Sequence, residues 1–134
     1  MICLVNSALF FTVDLVRQLT IPTKLHFFGF TNYQEGNESG EIRLALDVQE
    51  PLFDRHILVI EGIVVSGRTP RFIIDLLRNR RPASIALCAL GSKPHLLSEN
   101  LPLNYVAFEL GQEIAIGYGV GSGPEKTLPF LISK

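Results

Sequence analysis

The chain has 134 residues, 47% of them hydrophobic and 19% charged, with a formal net charge of −1 at neutral pH. That length suits one packed domain over residues 1–134, and the composition is too apolar for a disordered chain. A charge so close to zero argues against a nucleic-acid partner, and the apolar amino-terminal run, broken at Asp14 and Arg17, argues against a membrane span or leader.

The first element is a short buried strand, Ile2 to Val5. Asn6-Ser7 turns into a helix from about Ala8 to Leu19, with Asn6 or Ser7 as cap and Leu9, Val13 and Val16 on its apolar face. Lys24 to Phe30 read as a second strand. Thr31 to Gly40 are polar, hold two glycines and carry Tyr33 as their one apolar anchor, so they form either a flap over a ligand or a plain linker. Glu41 to Leu46 alternate as a half-exposed strand, paired antiparallel with its neighbour.

The run from His56 to Pro82 organises the rest. Ile57 to Ile60 and Ile63 to Val65 suit a strand buried on both faces. Ser66-Gly67-Arg68-Thr69 follows, then a helix capped by Thr69 or Ser66, with Pro70 in its first turn and Phe72, Ile73, Leu76 and Leu77 on one face. A buried strand, a small-residue turn and a helix N-terminus make a natural anion site: turn N–H groups point at the ligand and the helix dipole favours negative charge. A purely structural turn is the alternative. Arg78, Arg80 and Arg81 close the helix, where cations suit its dipole.

Ser84 to Leu90 form another buried strand, Gly91 to Pro102 a loop, and Tyr105 to Phe108 and Glu113 to Ile116 two shorter strands. The glycines at 117, 119, 121 and 123 alternate and do not make a dinucleotide-binding fingerprint, and LPFLI supplies a last edge strand. Strands alternating with helices predict an α/β fold with a mainly parallel central sheet flanked by helices, whose ligands sit beyond the carboxyl ends of the strands. Cys3 and Cys88 lie in apolar runs without a CxxC, which predicts buried reduced thiols and a cytoplasmic setting. His26, His56 and His95 show no metal-ligand spacing.

Several of these stretches resemble hypoxanthine-guanine phosphoribosyltransferases of type I fold. They are Leu4 to Phe11, the Asn32-Tyr33 pair, VIEGIVVSGRT at 59–69, RPASIALCALGSKP at 81–94, YVAFE at 105–109 and IGYG at 116–119. The resemblance implies transfer of ribose 5-phosphate from phosphoribosyl pyrophosphate to a purine, with magnesium. It implies 5′-phosphate binding by Val65, Ser66, Gly67, Arg68 and Thr69, base contacts from Tyr105 and Val106, and Tyr33 as a flap residue. It also implies a further helical segment before the first strand, a place where Met1 stands in this sequence.

The family's signature strand ends in two adjacent acids, two apolar residues and a third acid. Here Glu61 keeps the first, while Gly62 and Val65 stand at the other two. The paired acids grip ribose hydroxyls and help to seat the metal, which a glycine cannot do. The third acid takes a proton from the purine, and losing such a group costs about 10²–10⁴ in rate. Asn6-Ser7 replaces a Lys-Gly pair that contacts pyrophosphate, Ala86 falls where a lysine reads the purine, Gln112 replaces an aspartate, and Val120-Gly121-Ser122 replaces Leu-Asp-Tyr. Lys93 remains near the base loop or is simply solvated.

The expectation is therefore a phosphoribosyltransferase-related protein, catalytically impaired, that binds a nucleotide or other phosphate-bearing ligand at residues 65–69. Glu61 is its one residual acid, it holds no metal of its own, and magnesium enters only if it is active. The alternatives are an active purine transferase with an altered site, and a structural homodimer whose site is empty. Self-association as a homodimer is expected in each case.

Overall fold

The computed structural model describes residues 1–33, 41–98 and 100–134, with backbone alone for 32, 33 and 41–43. The strands are β1 (Ile2–Val5), β2 (His26–Tyr33), β3 (Glu41–Leu46), β4 (His56–Val64), β5 (Ser84–Ser92), β6 (Leu103–Glu109), β7 (Ala115–Gly117) and β8 (Leu131–Ser133); the helices are α1 (Leu9–Gln18) and α2 (Arg68–Arg78). Six strands form one sheet in the order β3-β2-β1-β4-β5-β6. All neighbours are parallel except β2 and β3, which pair antiparallel as expected. β7 and β8 make a separate antiparallel ribbon, so LPFLI supplies a ribbon strand rather than an edge of the main sheet.

The two crossovers leave β1 and β4 in opposite directions, α1 leading to β2 and α2 to β5. With the usual right-handed crossover, the two helices then cover opposite faces. The core agrees. Ile2, Leu4, Phe28, Val59 and Leu87 point to one side, where Ile73, Ile74 and Leu77 of α2 meet them. Cys3, Ile60 and Cys88 point to the other, against Ala8, Leu9 and Leu15 of the α1 segment. Adjacent residues of one strand alternate between the clusters, as the pleat requires.

Periodicity identified both helices but misplaced parts of each. The buried face of α2 is Pro70, Ile73, Ile74 and Leu77, and Phe72 is exposed. On α1 the inward face runs through Ala8, Phe11, Thr12 and Leu15, while Val13 is exposed. In LFFTVDLV several faces are apolar enough to compete, and tertiary packing chooses among them. Thr31 to Tyr33 are the last three residues of β2, not loop, because they pair with Ile42, Arg43 and Glu41 of β3. The rest of the expected flap, residues 34–40, and the Tyr33 side chain lie outside the described residues. The loop expected at 91–102 begins two residues late, since Gly91 and Ser92 still belong to β5.

The arginines after α2 serve the fold. Arg78 bonds Asp75 at 2.8 Å, Arg81 lies over the Phe53 ring, and Arg80 bonds Asp47 at 2.5 Å and the Val48 carbonyl at 3.0 Å. Arg80 thus pins the β3–β4 connection to the end of α2, and its guanidinium also faces Phe28 at 5.7 Å. The Arg80–Asp47 side chains are only about a quarter to a third exposed. Arg80→Ala is expected to lower stability by about 1 kcal/mol, measured by urea unfolding. An unchanged midpoint would show the pair to be decorative.

Candidate functional site

β1 and β4 are neighbours whose chains depart in opposite directions, so their carboxyl ends flank the topological switch point of the sheet, the usual ligand crevice of open α/β folds. A depression of about 280 Å3 opens there, walled by Ser7, Phe30, Glu61 and residues 63–70. The turn after β4 is shaped by Gly67, which holds a left-handed φ of 78° and is the N-cap of α2. An L-side chain at that φ is strained. The cap is therefore backbone geometry, and neither expected side chain caps the helix: Thr69 lies inside it, and Ser66 Oγ only accepts a long bond of 3.4 Å from the Arg68 N–H. This aims the first-turn N–H groups and the positive end of the helix dipole at the depression. The turn is tied down from behind, with the Ser98 N–H donating to the Ser66 carbonyl at 3.2 Å and the Lys93 N–H to the Val64 carbonyl at 2.9 Å.

Glu61 lies in the same wall, 6% exposed. Its Oε1 accepts from the Ser7 hydroxyl at 2.9 Å and from the Gly62 N–H at 2.9 Å. Burial pushes the carboxyl up to about 7, against the pull of those two bonds. A carboxyl titrating near neutrality can accept or donate a hydrogen bond at physiological pH. The sequence presents Ser7 as a helix cap and, with Asn6, as a replacement for a pyrophosphate-contacting pair, and gives no sign of a bond to Glu61. Its hydroxyl goes to Glu61, and α1 starts at Leu9 with Ala8 as an N-cap that makes no side-chain cap bond. The available signal is its place two residues past the end of a parallel strand, at the edge where ligands collect.

Val65 stands in the wall, 42% exposed, offering hydrocarbon where an acid is implied. Tyr105 and Val106 are not in this depression. They sit on the edge strand β6, 59% and 37% exposed, with Val106 in register with Ala89 and, through it, Glu61. Two inter-strand steps separate them from Glu61, roughly 10 Å. The structure thus brings Glu61 and Val65 to Thr69 together and leaves the two base-contact candidates one subsite away. Ala86 is misassigned as the purine-reading position: it lies in mid-strand beside Leu58, below the carboxyl edge. The β5 residue level with Ile63 at that edge is Gly91, where a Cβ would come within 2.7 Å of Phe108 and 2.8 Å of Ile63.

The donors for magnesium are sparse. Among the described residues no group of three or more His, Cys, Asp or Glu could hold a metal ion. Glu61 has one oxygen already engaged twice, Gly62 has no side chain, and Gln112 is neutral and exposed. This set does not fit a magnesium site built from the protein. Cys3 and Cys88 are buried free thiols, as expected. No helix among the described residues is long and apolar enough to cross a membrane.

Comparison with known proteins follows the same lines. The phosphoribosyl transferase domain family matches residues 1–122. The chain is 30% identical over 118 residues to the hypoxanthine phosphoribosyltransferase of Haemophilus influenzae, covering 87% of this chain and 66% of that protein. It is 31% identical over 121 residues to the hypoxanthine-guanine phosphoribosyltransferase of Mycobacterium tuberculosis, covering 90% and 60%. A solved structure of the Trypanosoma cruzi hypoxanthine phosphoribosyl transferase superposes with a TM-score of 0.90 at 27% identity, over 98% of this chain and 70% of that one. The chain thus spans about three fifths to two thirds of the length of the two relatives it matches by sequence.

Proposed function

Because the chain belongs to the phosphoribosyl transferase domain family, we propose that it binds a purine nucleotide or phosphoribosyl compound at the 65–69 turn and transfers ribose 5-phosphate to a purine. The observation that carries the proposal is the Gly67 turn, which aims the α2 N-terminus into a depression shared with Glu61 at the switch point of the sheet. The purine transferases among its relatives favour this active reading over the impaired one expected from the sequence alone.

In the transfer, the ribose C1′–oxygen bond to pyrophosphate breaks, a bond from C1′ to a purine ring nitrogen forms, and that nitrogen's proton leaves. The N–H groups of the turn and the α2 dipole hold the 5′-phosphate. The second oxygen of Glu61 is the acceptor left for a ribose hydroxyl, and Tyr105 offers a face for the purine to stack on. Val65 cannot take the proton, so water must, and the reaction is slow. Magnesium, where the reaction uses it, arrives with the pyrophosphate substrate.

The test is incubation with phosphoribosyl pyrophosphate, magnesium and hypoxanthine or guanine, with the mononucleotide measured by chromatography. Slow, protein-dependent formation of inosine or guanosine monophosphate is expected. Guanosine monophosphate at 100 times its dissociation constant is expected to add about 2.7 kcal/mol of stability. Stabilisation without product would favour the second reading, a nucleotide-binding protein without turnover, for which the exposed hydrocarbon of Val65 is the specific support. Neither product nor stabilisation would sink both. The buried thiols fit a cytoplasmic setting, and a homodimer remains the proposed assembly, checked by light scattering.

A further inference from the structure

The segment after β1 crosses the end of β4 at a point where there is no room for a side chain. A Cβ built on Gly62 would lie 2.8 Å from the Ser7 carbonyl oxygen, 2.9 Å from its Cβ and 3.0 Å from its carbonyl carbon. Real Cβ atoms do not approach backbone so closely, so an acid at 62 would have to displace the loop. The glycine is therefore more than a lost ligand: it is the surface on which Ser7 sits. From that seat Ser7 donates to Glu61 Oε1 at 2.9 Å, and the Gly62 N–H donates to the same oxygen at 2.9 Å. The contact and the two bonds form one unit joining β1 to β4.

We propose that this Ser7–Glu61–Gly62 latch fills the place of a metal site, so that the protein holds its phosphate ligand without binding magnesium itself. Magnesium demands near-octahedral oxygen donors at about 2.0–2.1 Å and sheds its waters reluctantly, so it needs carboxylates free to face it. The latch leaves one carboxyl, buried, with one oxygen doubly occupied, and closes the space in which a second would stand. Neutralisation of the phosphate then falls to the turn N–H groups and the α2 dipole, neither of which needs a metal.

The proposal rests on the reading of the 65–69 turn as a phosphate site, and its test separates the two. Manganese is titrated with the protein and followed by electron paramagnetic resonance, first alone and then with guanosine monophosphate. The signal is expected to remain that of free manganese, or of manganese with the nucleotide alone. Calorimetric affinity for guanosine monophosphate is expected to be the same in magnesium and in EDTA. Loss of the free-ion signal on adding protein, or tighter nucleotide binding in magnesium, would overturn the latch. Absence of nucleotide binding would instead count against the phosphate site, while the manganese arm on free protein still decides this inference. The paired variant Ser7→Gly with Gly62→Asp, in which a more pliant glycine at 7 removes the Cβ contact and lets the loop carry its carbonyl off residue 62, is checked for folding by circular dichroism and expected to gain manganese binding. A folded pair that gains none would show that the loop is not what excludes the metal.

Discussion

Val65→Asp is expected to raise the rate of mononucleotide formation by about 10²–10⁴-fold, the usual contribution of a positioned general base. Val65 is the residue of the turn that the resemblance marks for proton abstraction, and it is already 42% exposed in the wall of the depression. An aspartate there removes no core contact and buries no charge, so the variant is expected to fold as the parent does. The gain should appear in kcat more than in KM, because the interaction is made only as the proton leaves. It should follow the ionisation of a carboxylate, lost as pH falls. Pyrophosphate release measured for both proteins across pH decides the matter. A rate within a few-fold of the parent would mean that the depression does not hold the purine ring nitrogen near residue 65.

The second large effect is on stability. Glu61 has its carboxyl raised from the ordinary value of 4.5 to about 7, chiefly by burial. Below 4.5 the group is protonated in both folded and unfolded chains. Between 4.5 and 7 the unfolded chain releases its proton while the folded one keeps it, so stability falls as pH rises and is fully lost from this source above about 7. A rise of that size is worth roughly 3 kcal/mol. Glu61→Gln removes the charge but keeps an oxygen that can accept from Ser7 and Gly62. It is expected to stabilise the protein by roughly 3 kcal/mol at about pH 8 and to change little at about pH 4. Urea unfolding at several pH values checks it, and parallel curves for the two proteins would refute the assignment. A role for this carboxyl in ligand binding, as proposed, would make the destabilisation a common trade at binding sites.

The α/β architecture was legible because it rests on long, strongly patterned segments. The β4–turn–α2 unit is the clearest case: two apolar runs, a small-residue turn and a recurring apolar helix pattern all agree, although the face read as Phe72, Ile73, Leu76 and Leu77 is rotated from the buried Pro70, Ile73, Ile74 and Leu77. The antiparallel β3 was equally legible from its alternation. What sequence could not resolve was tertiary choice. Nothing local distinguishes Ser7 as a helix cap from Ser7 as the partner of Glu61, 54 residues away. Nor does the pattern of α1 say which of several apolar faces turns inward. Gly62 read as a loss, because a missing acid is visible in sequence and a close backbone approach is not. The motif alone aligns Ala86 with the purine-reading lysine. Only the strand register shows that it lies below the edge and that Gly91 stands level with Ile63.

The central claim is that the amides of residues 66–69 form a phosphate cradle of the phosphoribosyltransferase kind. Titration of isotopically labelled protein with guanosine monophosphate, and separately with guanosine, followed by amide NMR shifts, addresses it directly. The account predicts saturable shifts at Ser66, Gly67, Arg68 and Thr69 with the nucleotide, and none there with the nucleoside. Nucleotide shifts that leave these amides untouched, or equal shifts with guanosine, would contradict it.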